Sequence, residues 1–290
     1  MYIDKNHILR SINGKDIKNG TVHIPPRVKE IGAWAFSSAN ITSIIIPKTI
    51  TDIQDSAFAW CANLKSIIFE EGIDLYEIGM YAFNGCKNLT KIKIPNSIKF
   101  MSTAFGNCER LESITFDKNC HMNSMWYGTF SGCPNLKFVT MPEKIDWVGG
   151  HMFTDSPKVK FNKYGNAKYL GNNNNPYIAL IGADNKDIVD CSLHKDCKYI
   201  LSEAFKGCKN LKTITFPKDI QLINVGNKVF EGCPKLKFVK FPNDIIEQGA
   251  PPWPHPERYK NTSHAIPFIP TPHWMIEAKA NSQDHVEIKQ

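Results

Sequence analysis

The chain has 290 residues, of which 42% are hydrophobic and 22% are charged, as in an ordinary folded protein. Its 35 basic and 28 acidic residues leave a formal net charge of +7. The basic excess forms no run of Lys or Arg and no basic-aromatic module, so no nucleic-acid partner is predicted. No stretch of about 18 consecutive apolar residues occurs, so no membrane insertion is predicted.

The first residues, Met1–Arg10, lack the apolar stretch of about 7 to 15 residues that marks a secretory signal. As written, the sequence therefore predicts a cytoplasmic location by default. Residues 1–19 precede the first predicted strand, Thr21–Ile24, and contain the apolar residues Ile8, Leu9 and Ile12. Because a repeat array needs an atypical unit to shield its terminal apolar face, we expect residues 1–19 to form an N-terminal cap.

A marker phrase, Ala-Phe or a relative of it, recurs through residues 20–242. Subtracting neighbouring positions gives spacings of 22, 25, 22, 25, 23, 52 and 25 residues between the marker phenylalanines Phe36, Phe58, Phe83, Phe105, Phe130, Phe153, Phe205 and Phe230. A fixed period in the twenties is the signature of a solenoid. The sequence thus predicts one elongated array of about nine or ten coils in place of separate globular domains.

One coil, Ile78 to Pro95, shows how the phrase maps onto structure. The alternation Ile92, Lys93, Ile94 predicts a short strand that is buried on one side only. Pro95 ends this strand because it has no amide hydrogen to donate. On the opposite side, Ala-Phe is expected to form a short turn or a single helical turn with the ring inside.

Six of the nine cysteines lie three residues after a marker phenylalanine: Cys61, Cys86, Cys108, Cys133, Cys208 and Cys233. Ala39 and Ser156 stand at the same place in two other coils. This exchange among small residues fits a size requirement better than disulfides, which need a specific Cα separation. We interpret these cysteines as buried structural thiols.

The motif Ile-Gly-x-x-Ala-Phe-x-x-Cys-x-x-Leu-x-x-Ile-x-Ile-Pro is similar to the BspA-type leucine-rich repeat, over about residues 20–242. The resemblance implies a β-dominated α/β leucine-rich-repeat solenoid, a curved right-handed coil with a parallel sheet on its concave side. Members of this family are commonly bacterial or protist surface proteins that bind other proteins, including host matrix components. The resemblance therefore implies a surface or secreted location and protein partners.

The gap between Phe153 and Phe205 predicts an atypical coil at about residues 163–200. Lys168–Leu170 and Tyr177–Ile181 are expected to form a hairpin, followed by a strand at Ile188–Leu193. The hairpin either protrudes as a recognition loop or adds a local corner to the array. The corner is favoured because the two strands are apolar enough to need covering.

Sites for metals, cofactors or catalysis are not predicted. Cys191, His194 and Cys197 have zinc-binding side chains, but structural zinc requires four ligands and the sequence supplies no fourth. We interpret the three as an ordinary strand and turn. The motifs of phosphate-binding loops, nucleophile elbows and zinc hydrolases are absent, so the sequence predicts a non-enzymatic protein.

The outward positions of the predicted strands form the candidate partner-binding face, on the concave side that the resemblance implies. Two exposed phenylalanines among polar residues resemble the anchors of protein interfaces, although strand preference alone also favours Thr, Ile and Phe. The candidate residues are Lys91, Lys93, Ser113, Thr115, Phe138, Thr140, Lys158, Lys160, Thr213, Thr215, Phe238 and Lys240. Ser43, Ile45, Ser66 and Ile68 also point outward but are left out of this set.

After Pro242 the repeat stops, and seven prolines fall between Pro251 and Pro272. Residues 243–290 are expected either to cap the last coil, with Trp253, Phe268 and Trp274 as plugs, or to dock onto a partner. The sequence thus predicts a protein-recognition scaffold, with a structural spacer that presents this tail as the alternative. Carbohydrate binding through Trp126, Trp147 and the tyrosines is a third option.

Overall fold

The computed structural model describes residues 1–239 and 241. Over these residues the chain consists of short strands and turns, with one 3-10 turn at Gly14–Asp16 and no α-helix. No helix in this part of the chain could cross a membrane. Contacts divide the chain into two compact units: the first is Met1–Ile145 with Gly149–Lys160, and the second is Asp146–Val148 with the described residues from Phe161 onward.

The first unit contains one long sheet and three short ones. In chain order its strands are β1 Tyr2–Ile3, β2 Ile8–Ser11, β3 Ile17–Lys18, β4 Thr21–Val22, β5 Glu30–Ile31, β6 Ser43–Ile46, β7 Asp52–Ile53, β8 Ser66–Phe69, β9 Glu77–Ile78, β10 Lys91–Ile94, β11 Phe100–Met101, β12 Ser113–Phe116, β13 His121–Met125 and β14 Phe138–Val139, after which β15 spans Lys144–Val148.

The long sheet has eight strands in the order β1-β2-β5-β7-β9-β11-β13-β15. Its pairs are parallel from β2 to β13, so the N-terminal strand β2 is already a rung of the stack. Each rung from β5 to β11 has two residues, the second of which is buried: Ile31, Ile53, Ile78 and Met101. Two-residue strands carry no visible alternation, which is why sequence analysis did not predict this sheet.

The strands of the motif, which sequence analysis predicted, form two short parallel sheets. Strand β6 pairs in parallel with β8, and β10 pairs with β12, which pairs with β14. Burial alternates as expected, since Ile44 and Ile46 are buried whereas Ile45 between them is 51% exposed. The predicted fold class, a β-dominated solenoid of stacked coils with parallel sheets, is confirmed at about nine coils.

The turn that carries each marker phenylalanine is not helical. In every such turn the residues two before and two after the phenylalanine have positive φ, from 43° at Thr103 to 74° at Gly207. The amides of the phenylalanine and of the residue two after it both donate to the next coil; in the second coil Phe58 N–H reaches Ala82 O at 2.8 Å and Trp60 N–H reaches Asn84 O at 2.7 Å. The left-handed residues therefore direct backbone donors along the stack.

The marker phenylalanines form a column inside the first unit. Phe36, Phe58, Phe83 and Phe105 have no exposed surface, and their rings are stacked at centroid distances of 4.6, 5.1 and 5.3 Å. Stacked aromatic rings at these separations contribute beyond the burial of their area. The column is the continuous core that no single coil could bury alone.

A second column consists of the cysteines. All nine cysteines are free and buried, and they include the six that we interpreted as structural thiols. In addition, thiols donate to the phenylalanine carbonyl of the preceding coil, as for Cys61 and Phe36 at 2.9 Å, and the Ser156 hydroxyl does the same to Phe130 at 2.9 Å. Burial raises the pKa of the Cys61 thiol to about 12, so this donor keeps its proton at neutral pH.

The second unit contains β16 Asn162–Tyr164, β17 Ala167–Leu170, β18 Ala179–Ala183, β19 Asp190–Ser192, β20 Tyr199–Ile200, β21 Thr213–Thr215 and β22 Asn224–Val225. Its main sheet has the order β16-β17-β18-β20-β22, antiparallel through β18 and parallel afterwards. The hairpin β17–β18 is thus part of the sheet, because β18 is the rung on which β20 stacks. Strands β19 and β21 form a separate parallel pair.

Candidate functional site

The strand face, as we use the term, is the set of outward residues on β6, β8, β10, β12 and β14 of the first unit. Three large apolar side chains lie half exposed on it: Ile45 at 51%, Ile68 at 54% and Phe138 at 52%. Ile45 and Ile68 are direct neighbours in the register of β6 and β8. Sequence analysis identified both isoleucines as outward-facing but omitted them from the candidate site, so the apolar part of this face is larger than predicted.

The register places Lys91 beside Ser113, and Ser113 beside Phe138. Lys91 is exposed and Ser113 is half buried. Among the described residues no acidic group forms an ion pair with Lys91. This row therefore presents one unpaired positive charge, a hydroxyl and an aromatic ring in sequence across three strands.

The next row contains Lys93, Thr115 and Thr140. The Lys93 ammonium forms an exposed ion pair with Asp117 at 2.9 Å, so its charge is locally balanced. The Thr140 hydroxyl accepts a hydrogen bond from the Phe116 amide at 3.1 Å. Thr140 thus extends the ladder where the strand ends, and its oxygen is already engaged by the fold.

Lys158 and Lys160 follow the sixth marker phenylalanine and are both exposed. They lie outside any strand, but the Lys160 amide donates to Lys137 O at 3.0 Å and so continues the backbone ladder. The Lys158 ammonium donates to the Asn135 side chain at 2.7 Å. The first unit therefore carries eight of the twelve predicted residues on successive coils.

The remaining predicted residues do not join that set. Thr213 and Thr215 are exposed on β21 and Phe238 is 51% exposed, all three in the second unit. Lys240 and the predicted C-terminal segment 243–290 lie outside the described residues. The candidate site analysed below is accordingly the strand face of the first unit.

Two tryptophans considered for carbohydrate binding are in the interior. Trp126 is 7% exposed and Trp147 is 6% exposed, so neither indole offers a face on which a sugar could stack. This corrects the expectation that these two residues contribute to a sugar site. The exposed tryptophans are Trp34 and Trp60, at 61% and 49%, which sequence analysis did not single out.

Cys191, His194 and Cys197 do not converge on a metal position. Both thiols are buried, whereas the His194 ring stacks on Tyr177 at 3.9 Å between centroids. Its Nδ1 accepts a hydrogen bond from the Asp196 amide at 3.2 Å. In the part of the chain that the structure describes, no three His, Cys, Asp or Glu side chains are grouped to hold a metal ion.

Solved structures of similar fold are leucine-rich-repeat proteins. The pneumococcal vaccine antigen PcpA is 19% identical with a TM-score of 0.50, over 79% of this chain and 73% of that one. A leucine-rich cell surface protein from Faecalibacterium prausnitzii is 23% identical with a TM-score of 0.45, over 79% and 73% of the two chains. A Bacteroides ovatus leucine-rich repeat protein is 21% identical with a TM-score of 0.41, over 82% and 78%.

None of the curated protein sequences compared with the chain matches it. The repeats themselves match a family: the BspA type leucine rich repeat region occurs in six copies, over residues 14–99, 73–174 and 183–250. These ranges cover more than half of the chain. The chain therefore belongs to the BspA-type leucine-rich-repeat family.

Proposed function

We propose that the first unit is a non-enzymatic recognition module and that its strand face binds a protein partner. The observation that carries the proposal is the half-exposure of Ile45, Ile68 and Phe138 on the outward side of the two short parallel sheets. Large apolar side chains framed by polar ones are the usual anchors of protein interfaces. The family's repeats form extended surfaces of this kind, which fit a scaffold better than an enclosed reaction site.

Strand preference alone does not account for Phe138. The position of Phe138 is filled by Lys91 on β10 and by Ser113 on β12, and strand β8 has Ser66 there. The fold therefore accepts polar side chains at this position. An exposed aromatic ring that the fold does not require is better explained by a partner than by the stability of the coil.

The charges around the anchors indicate the kind of partner. Lys91, Lys158 and Lys160 are exposed. The ion pairs nearby are formed by other lysines, Lys93 with Asp117 and Lys137 with Glu112. A partner with an apolar patch bordered by acidic residues would complement this surface. Its association rate would fall as salt is added, because exposed charges act mainly on the encounter of the two proteins.

The test compares two variants of the full chain in affinity capture from native source material. The first replaces Ile45, Ile68 and Phe138 by Ser, and the matched control replaces two similarly exposed residues that are not part of the strand face, Tyr2 and Val189, by Ser. Both should keep the wild-type melting temperature within a few degrees, since exposed substitutions change stability by less than about 0.5 kcal/mol each. We expect the first variant alone to lose a captured protein.

Two outcomes contradict the proposal. One is an identical captured set for wild type, variant and control. The other is capture that survives loss of the three anchors but is lost when residues 243–290 are removed. That second result would favour the alternative from sequence analysis, a spacer that presents its tail.

We further propose that recognition takes place at a cell surface or with a host. Two observations support this proposal. Members of the family are commonly surface proteins, and one solved structure of similar fold is that of a pneumococcal vaccine antigen. Brief protease treatment of intact source cells should then degrade this protein and leave a cytoplasmic marker protein intact. Full retention of the protein after such treatment would overturn this part of the proposal.

A further inference from the structure

Three aromatic side chains lie exposed on the turns of the first three coils. Trp34 is 61% exposed, Trp60 is 49% exposed and Tyr81 is 40% exposed. All three belong to the first unit and to the turns that carry the buried marker phenylalanines, a different segment of each coil from the strand face. The protein recognition proposed above does not use them.

These three residues occupy left-handed positions, with φ of 62° at Trp34, 61° at Trp60 and 57° at Tyr81. A residue with a Cβ is disfavoured in this conformation by about 1 kcal/mol relative to glycine. Trp34 and Tyr81 stand two residues before a marker phenylalanine, and Trp60 stands two residues after one. Residues at these two places in other coils of the unit include Ser56, Thr103 and Gly128 at the first and Gly85, Asn107 and Gly132 at the second. The fold thus accepts small or polar residues at both places, and it does not require three large exposed rings.

The indole of Trp60 lies flat on the following coil. A Cβ added to Gly85 would lie 2.5 Å from Cε3 of Trp60, 2.9 Å from Cζ3 and 3.0 Å from Cδ2. These nearly equal distances place the Cβ over the face of the six-membered ring, because a point beyond the ring edge would be clearly farther from Cζ3 and Cδ2. One face of the indole therefore packs over Gly85, while about half of the side chain remains open to solvent.

Trp34 and Tyr81 stand at equivalent positions two coils apart. The coil between them has Ser56, whose small side chain is buried. The backbone is continuous across the three coils at this level, since the Trp34 amide donates to Asp55 O at 3.2 Å and the Ser56 amide donates to Met80 O at 2.8 Å. Neighbouring rungs of a parallel ladder are about 4.8 Å apart, so the two aromatic positions are separated by roughly 9.6 Å.

Charged side chains of both signs border the three rings. Lys87 is exposed and forms an ion pair with Glu109 at 2.8 Å. Arg10, on the strand β2 that pairs with the first of these coils, forms an ion pair with Asp4 at 2.8 Å. The Asp55 carboxylate is half buried and accepts a backbone amide of the following coil at 2.7 Å. Such a border favours neither an anionic nor a cationic ligand, but it offers hydrogen bonds to an uncharged polar one.

A sugar ring combines the two properties that this surface selects. The C–H bonds on one face of a pyranose carry a small positive charge and pack against the negative face of an aromatic ring. The hydroxyl groups at the rim of the same ring donate and accept hydrogen bonds, for which charged and polar side chains are partners. An uncharged oligosaccharide therefore suits exposed rings with a charged border better than an apolar ligand does.

The two-coil separation of Trp34 and Tyr81 specifies the linkage. In an extended β-1,4-linked glycan each unit is turned over relative to the one before, so alternate units present the same face to the same side. One pyranose unit is about as long as the spacing of two neighbouring rungs. Alternate units then stack on Trp34 and Tyr81, and the unit between them lies over Ser56 and beside Trp60.

We propose that Trp34, Trp60 and Tyr81 form a binding site for an extended, uncharged β-1,4-linked oligosaccharide. The site lies within the first unit and uses no residue of the strand face. It is therefore independent of the protein recognition proposed above.

The test is isothermal titration calorimetry of the full chain with two uncharged β-1,4-linked ligands, cellohexaose and chitohexaose. Maltohexaose is the control, because its α-1,4 linkage curves the chain and does not present alternate units in line. We expect at least one β-1,4-linked ligand to bind and maltohexaose not to bind. The shortest ligand that reaches both Trp34 and Tyr81 is a trisaccharide. The disaccharide should bind roughly tenfold more weakly than the trisaccharide, the factor for a lost stacking contact of about 1.4 kcal/mol.

Three variants take the residues that the fold uses at the same places in other coils: Trp34→Ser, Tyr81→Ser and Trp60→Gly. Each should keep the wild-type melting temperature within a few degrees and weaken oligosaccharide binding roughly tenfold. The matched control is Phe138→Ser, which removes a similarly exposed ring from the strand face. This control should bind the oligosaccharide as the wild type does.

The proposal is overturned if neither β-1,4-linked ligand binds, or if maltohexaose binds equally well. It is also overturned if the three variants retain wild-type affinity. Loss of a captured protein by Trp34→Ser, with no oligosaccharide binding by the wild type, would show that the rings contact a protein instead.

Discussion

The thiol of Cys61 donates a hydrogen bond to the carbonyl oxygen of Phe36, 2.9 Å away and one coil earlier in the chain. The same bond recurs from Cys86 to Phe58 at 3.3 Å and from Cys133 to Phe105 at 3.1 Å. Ala39 holds the equivalent place in the first coil, which has no marker phenylalanine before it and so no carbonyl to satisfy. The cysteine of the motif is thus a donor between coils as well as a small core residue.

This bond predicts different effects for two substitutions of Cys61. Cys61→Ala removes both the donor and buried volume, and should lower the free energy of unfolding by about 1 to 2 kcal/mol. Cys61→Ser keeps a donor, as Ser156 does naturally, and should cost less than Cys61→Ala. Urea denaturation followed by circular dichroism measures both. Equal losses for Ala and Ser would show that the hydrogen bond contributes nothing.

The Cys61 thiol also predicts a dependence on alkaline pH. Burial raises its pKa from 9.0 to about 12 in the folded chain, so above pH 9 the unfolded thiol loses its proton while the folded one keeps it. Its contribution is complete below pH 9 and is lost as pH rises towards 12, at no more than about 1.4 kcal/mol per pH unit. The stability gap between wild type and Cys61→Ala should therefore narrow from pH 8 to pH 10.5. A gap that stays constant would mean that the folded thiol ionises as readily as the unfolded one.

The aromatic column predicts that one ring supports its neighbours. Phe83 is fully buried between Phe58 and Phe105, with ring centroids at 5.1 and 5.3 Å. Phe83→Ala should destabilise the protein by about 3 to 5 kcal/mol, and Phe83→Leu by less because it leaves a smaller cavity. Thermal and urea unfolding give the order of stability of wild type, Phe83→Leu and Phe83→Ala. A loss below about 1 kcal/mol for Phe83→Ala would mean that the coils close up around the missing ring.

Two glycines at the same position in different coils provide a matched pair. Gly85 and Gly207 have φ of 72° and 74°, but a Cβ on Gly85 would lie 2.5 Å from the Trp60 ring whereas a Cβ on Gly207 meets nothing within 4 Å. Gly207→Ala should lower the free energy of unfolding by only about 1 kcal/mol, the cost of a Cβ in the left-handed conformation. Gly85→Ala should cost more and shift tryptophan fluorescence, because the indole must move. Adding Trp60→Ala should cancel the excess; an unchanged excess would place its cause elsewhere.

The sequence carried most of the information about the short parallel sheets and the core. The period of the marker phenylalanine predicts stacked coils, and the alternation Ile92, Lys93, Ile94 predicts which side of β10 is buried. These patterns can be recognised in the sequence because each residue type recurs at one position in many coils. The placement of Phe138 on the solvent side of β14 follows from the same alternation.

Other features lie outside what a pattern of residue types can specify. The long sheet is built from two-residue rungs such as Glu30–Ile31, where hydrogen bonds between coils define the strand and no alternation marks it. The left-handed turns are filled by residues as different as Trp34, Ser56 and Thr103, so φ is imposed by the stack and not by local preference. The place of the Trp60 ring depends on the absence of a side chain at Gly85 in the following coil, a pairing visible only once the coils are stacked.

The backbone donors of the turns give the stack a direction. The amides of Phe36, Phe58, Phe83, Phe105 and Phe130 all donate to the coil that follows, and never to the coil before. The amides that follow the strands of the long sheet donate the other way, as from Gln54 N–H to Ile31 O and from Gly79 N–H to Ile53 O. Each coil therefore directs its turn donors to the following coil and these strand donors to the preceding one. An added coil must present both sets in the same sense as its neighbours, so the array can grow by duplication only with every coil in the same orientation.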